Sequence, residues 1–169
     1  MTKLVMVFSG KDLAKIQIEG GSGHWIAKTD RIEEAEYVLC VRNRRETWAA
    51  KDFEHGTAFL VGRISGTKPA PYDKRIIITM SEYAEIQAPD AWKICTGGQR
   101  YPVAYKDADV VQKQLNIDFS KLDWHPFVNV KQVNLERDGV LPLSIQQAKL
   151  GLAKSFNVGV EAIEITIRS

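Results

Sequence analysis

Residues 36–66 read EYVLCVRNRRETWAAKDFEHGTAFLVGRISG, and the parsing of this stretch decides the fold. Two apolar runs, Tyr37–Val41 and Ala58–Ile64, flank a polar segment that holds Arg42, Asn43, Arg44, Arg45 and Trp48. Apolar runs this short, bounded by polar and turn residues, read as buried strands. The pair would deliver a basic, aromatic segment to one edge of a sheet. Gly62 inside the second run marks a bulge or a close backbone approach.

Working outward from this stretch, residues 3–8 (KLVMVF) read as another buried strand and Ser9-Gly10-Lys11-Asp12 as a turn. Ala14–Ile18 reads as a further short strand. Gly20-Gly21-Ser22-Gly23 is a flexible loop before His24-Trp25-Ile26. It carries neither the dinucleotide glycine spacing nor a Walker lysine. Residues 30–35 suit one helical turn with Asp30 as cap, and Glu46–Asp52 a short helix. Beyond a Pro-containing loop, Arg75–Met80 is a buried strand that Tyr83–Ile86 extends. Residues 87–102 read as irregular, with one short strand at most. Asp107 starts a helix over 107–115, and the aromatics of 116–128 wrap over a core.

The tail differs in character. Ser144 and Gln147 form a capping box ahead of an apolar stripe through Ile145, Ala148, Leu152 and Phe156, with Asn157 as the stop. Ile163, Ile165 and Ile167 alternate with polar residues, the pattern of a one-sided strand. This helix and strand must dock on the body, on another chain or on residues 129–136. The expected organisation is a core domain over 1–128 and an appendage over 129–169. The fold class is α+β: a small, partly closed β-barrel with peripheral helices and a C-terminal helix–strand appendage.

Composition bounds the function. The 169 residues carry a net charge of +2, so no overall field points to nucleic acid, and any basic function must come from local clustering. The two cysteines, Cys40 and Cys95, have no zinc spacing and leave a disulfide possible but not indicated, which favours a reducing, cytoplasmic setting. The N-terminal apolar run is too short for a signal peptide, and no stretch is long enough to span a membrane.

Local clusters do exist. Arginine forks suit phosphate oxygens and guanine edges, and Trp48 suits stacking on a base. Lys68, Tyr72, Lys74 and Arg75 form a second basic and aromatic group. The alternative is that these arginines are salt-bridged to Glu46, Asp52 or Glu54, with Trp48 in the core. His24 and Trp25, with Trp48, Trp92 or Tyr83, form a candidate aromatic pocket for a flat ligand, against the alternative of ordinary packing. Catalytic readings are thinner. His55 beside Asp52 and Glu54, and His125 beside Asp123, are neighbours that rarely face one another in extended chain. Carboxylates for a metal nuclease would have to gather from Asp52, Glu82 and Glu85. No cofactor and no metal site is indicated.

The strand ending Val41-Arg42-Asn43, the tryptophan that follows, the Gly56-led strand Ala58-Phe59-Leu60-Val61 and the segment His24-Trp25-Ile26 together resemble the PUA-like superfamily, in particular its EVE and ASCH branches. The resemblance spans residues 20–86. It implies a β-barrel pocket that reads a nucleotide, often a modified or flipped base, with Trp25, Arg42, Asn43 and Trp48 at the positions concerned. The leading expectation is therefore a non-enzymatic nucleic-acid-binding module. A protein-interaction or assembly module, able to form a homodimer through the C-terminal strand, is the second. A small hydrolase or nuclease is the third.

Overall fold

The computed structural model describes residues 1–71, 74–129 and 144–167. The chain forms two compact units, Met1–Lys131 and Gln132–Ser169. Tyr72, the side chain of Gln147 and most of residues 129–136 lie outside what is described, and so do the readings placed on them.

The first unit is α+β and is built on one curled sheet with strand order β2-β5-β4-β3-β1-β6. Its strands are β1 (Lys3–Ser9), β2 (Ser22–Trp25), β3 (Tyr37–Arg42), β4 (Ala58–Pro69), β5 (Ile76–Ala88) and β6 (Val103–Asp107). A two-residue β7 (His125–Pro126) pairs with the middle of β5. Among the described residues β2 and β6 remain unjoined edges, so the sheet curls into a half-barrel and does not close. Among the described strand pairs only β1 and β3 run parallel, from Leu4 opposite Tyr37 to Ser9 opposite Arg42.

The apolar runs have a simple cause. In β1, Leu4, Met6 and Phe8 enter one core, while Val5 and Val7 enter a second on the other face. In β3, Leu39 and Val41 divide from Val38 and Cys40 in the same way. A strand covered on both faces has no solvent side and loses the apolar–polar alternation. Helix α1 (Leu13–Glu19) and helix α2 (Thr29–Glu33) place Ile16 and Ile32 in the second core. Helix α3 (Ala91–Thr96) and helix α4 (Ala108–Leu115) place Trp92 and Val111 in the first. Gly62 is a close approach, because a Cβ there would stand 2.1 Å from Met80 Sδ.

Several local expectations need correction. Residues 13–19 are helical, not a strand: Asp12 accepts from the Lys15 amide at 2.8 Å, and Gly20 ends the turn at φ 77°. Asp30 lies inside the first turn of α2, and the cap position is Lys28. Residues 46–52 form no helix: Ala49 N–H closes a single turn on Glu46 C=O at 3.1 Å, and the next amide, Ala50 N–H, donates to Gly10 C=O at 2.8 Å instead of continuing it. Residues 87–102 hold helix α3, whose Ala91, Trp92 and Cys95 are buried, so tertiary burial overrode the Gly and Pro signals around it. The start of α4 is as expected, with Asp107 accepting from the Asp109 and Val110 amides.

In the second unit, helix α5 (Ile145–Phe156) is present and Asn157 ends it at φ 54°. Residues 163–167 are not a strand. Among the described residues they have no ladder partner, and a strand exists only through its pairing. No helix among the described residues is long and apolar enough to cross a membrane.

Candidate nucleotide-binding cleft

Arg42 ends β3 and is 0% exposed. Its Nη1 donates to Ser9 C=O at 3.0 Å and to Lys11 C=O at 2.8 Å, and its Nη2 donates to Asp52 Oδ2 at 2.9 Å. Nε lies 2.8 Å from Asp52 Oδ1, an ion contact outside hydrogen-bonding alignment. The guanidinium also lies 4.0 Å above the Phe59 ring. This corrects the reading of Arg42 as a phosphate-binding residue, since the guanidinium is fully buried and engaged with Ser9, Lys11, Asp52 and Phe59. A buried arginine of this kind is tolerated because a carboxylate balances its charge and three hydrogen bonds take up Nη1 and Nη2.

That anchor carries the rest of the loop to the surface. Asn43 N–H donates to Ser9 C=O at 2.8 Å, and Asn43 Oδ1 accepts from Arg45 N–H at 3.0 Å. Trp48 is 64% exposed, so it is not a core residue. Its indole lies over Gly10, where a Cβ would stand 3.0 Å from the ring. Beside it opens a cleft of about 290 Å³ that Lys11, His24, Trp25, Asn43, Glu46, Trp48, Arg75 and Pro102 help to line, with Phe8, Ser9, Gly10 and Gly23 making up the rest. The cleft stands at the carboxyl ends of the parallel pair β1 and β3, where loops leave neighbouring strands together and leave room for a ligand.

The cleft unites residues from both clusters and from the candidate pocket. Trp25 is 8% exposed and donates its Nε1–H to Ser22 Oγ at 3.2 Å, so it forms a wall. His24 Nε2 is 3.7 Å from Glu19, which also pairs with Lys11. Burial, then the charge of Lys11, lowers the His24 pKa from 6.5, which favours a neutral ring at pH 7. Arg75 donates from Nη1 to His24 C=O at 3.0 Å while its side chain reaches the cleft.

Other predicted residues lie elsewhere. Trp92 is buried and stacks on Phe8 at 4.6 Å, and Tyr83 packs edge-on to Phe127 at 6.1 Å. The expected cage of His24, Trp25, Tyr83 and Trp92 therefore does not form: Trp92, on α3, enters the first core, and Tyr83, although it packs against the same core as Trp25, does not line the cleft. Lys68 lies near the end of β4, with Nζ beside Gly20, and Lys74 occupies a left-handed turn at φ 59°. Neither lines the cleft. Arg44 pairs with Glu54 at 3.1 Å, as the salt-bridge alternative anticipated. Arg45 lines a second, adjoining cleft.

Sequence reasoning missed Lys11, Glu46 and Pro102. The signal for Lys11 was the turn directly after the first buried strand, the position from which a strand-end residue reaches a crevice. The catalytic candidates are also placed. His55 Nδ1 accepts from Arg44 N–H at 3.1 Å, so its near neighbour on that side is an amide. Asp123 and His125 do face one another, at 3.2 Å, contrary to expectation for near neighbours. Among the described residues no three His, Cys, Asp or Glu side chains gather as a metal-binding set. Cys40 and Cys95 are separate, buried free thiols, and burial pushes the Cys40 thiol up to about 12. No family model matches the chain, and no curated protein or solved structure matches it either.

Proposed function

We propose that the first unit is a nucleotide-recognition module for nucleic acid, using the cleft beside Trp48. One observation carries this reading: an exposed indole shares a cleft with Trp25, His24, Asn43, Lys11 and Arg75, which come from separated segments of the chain. A flat base stacks on an exposed indole whatever its identity, and such a contact is worth about 1–3 kcal/mol. Asn43 has the amide needed to hydrogen-bond a base edge. Arg75 supplies positive charge for the backbone of a bound strand, while Lys11 is paired with Glu19 and Glu46 places one carboxylate on the lining. This assignment is of the kind that the PUA-like resemblance implies for Trp25, Asn43 and Trp48, with Arg42 moved from ligand to anchor.

The test is a titration of the full chain with short single- and double-stranded DNA and RNA at two salt concentrations. Binding that weakens with salt and is lost in Trp48→Ala supports the module. Failure to bind every oligonucleotide at low salt ends it.

A further inference from the structure

We infer that the second cleft, around Arg45, His55 and Lys93, is an anion subsite that takes a nucleotide's phosphate. This rests on the proposed reading of the Trp48 cleft. The second cleft measures about 280 Å³ and shares Phe8 with the first. The chain itself joins the two, since Asn43 on the first accepts from the backbone of Arg45, whose side chain lines the second.

Its donors are available. Among the described residues, neither Arg45 nor Lys93 has an ion pair with a carboxylate, unlike Arg42, Arg44 and Arg63. His55 Nδ1 already accepts from Arg44 N–H, so the neutral ring carries its proton on Nε2 and is a donor there. Burial, then the charges of Arg45 and Arg44, lowers its pKa, which favours the neutral ring. Two features oppose an anion, Asp90 on the rim and the carboxyl end of α3. At the latter, Thr96 Oγ1 donates to Trp92 C=O and Gly97 N–H to Lys93 C=O, which takes up two of its carbonyls. Two cations and an N–H then outweigh one carboxylate. The rim is also open, because a Cβ built on Gly97 or Gly98 would meet nothing within 4 Å. Three donors of this sort suit the several acceptor oxygens of a phosphate better than a single carboxylate ligand.

The experiment follows the His55 ring by NMR in the full chain during titration with inorganic phosphate, adenosine, adenosine 5′-monophosphate and a short oligoadenylate. Phosphate should move the His55 resonances and raise its pKa, and the Arg45→Gln/Lys93→Gln variant should abolish both effects. The same variant should bind the phosphorylated ligands about tenfold more weakly and leave adenosine unaffected. Both residues are surface cations, and circular dichroism verifies that the variant folds. If phosphate leaves His55 unmoved and the variant binds like wild type while Trp48→Ala does not, the subsite is overturned and the base-stacking reading stands. If phosphate is felt at His55 but Trp48→Ala binds oligonucleotides normally, the subsite stands and the stacking reading falls. Equal affinity for monophosphate and oligoadenylate identifies a free nucleotide as the source. Preference for the oligonucleotide identifies a strand.

Discussion

Arg42 and Trp48 leave the same strand end and meet opposite fates. Arg42 is fully buried and ties Ser9, Lys11 and Asp52 together, whereas Trp48 stands exposed over Gly10. The residue that looked like the best phosphate ligand is a structural rivet, and the one that looked equally suited to the core is on the rim. A charged residue is buried where a carboxylate balances its charge and backbone carbonyls accept from its donors. An aromatic ring is left exposed where the loop carrying it is pinned by its backbone rather than by side-chain packing.

The largest effect should come from breaking the root. Arg42→Met leaves two carbonyls and Asp52 without their donor, and should cost about 3 kcal/mol. Urea unfolding measures it, and a loss below about 1 kcal/mol would mean that the loop roots hold without the arginine. Next comes the rim. Trp48→Ala should weaken oligonucleotide binding about tenfold or more while changing stability by less than about 1 kcal/mol. If it instead destabilises as much as Arg42→Met, root and rim are one structural unit and the contrast fails.

A subtler probe acts on the pivot. Gly10→Val should press on the indole, altering its near-ultraviolet circular dichroism and reducing affinity by less than Trp48→Ala does. An unchanged spectrum would mean that the ring has another resting place.

The smallest effect concerns the histidines of the two clefts. Burial, then Lys11, lowers the His24 pKa below 6.5, and burial, then Arg45 and Arg44, does the same for His55. For a depressed base the unfolded chain takes up the proton first. The stability contribution is therefore full above about 6.5 and lost as pH falls through the folded values below it. A His24→Gln/His55→Gln variant should show a flatter stability profile below that pH. Identical slopes in the two proteins would mean that the rings titrate alike folded and unfolded.

Much of the sheet was legible because burial on both faces leaves a sequence mark. The runs 3–8, 37–41 and 58–64 fall on strands, and 75–80 does so from Ile76 onward. Short helices were less legible. Residues 13–19 and 91–96 are amphipathic over too few turns for the period to stand out, and each is held by the core that it covers. The candidate site divides along the same line. His24, Trp25, Asn43, Trp48 and Arg75 were singled out by residue type and do converge on one cleft, whereas Tyr83, Trp92, Lys68 and Lys74 were singled out on the same grounds and do not.

The sequence alone determined that β1 and β3 are buried strands and that a polar, arginine-rich loop with one tryptophan must follow the second. Tertiary structure decided that β1 and β3 lie parallel, so that Ser9 stands opposite Arg42 and the two loops rise side by side. That register gives Arg42 the carbonyls of Ser9 and Lys11 and sets Trp48 on Gly10. Residue type states what a side chain is able to do. Whether a guanidinium meets protein or solvent depends on acceptors contributed by another strand, which local sequence does not encode.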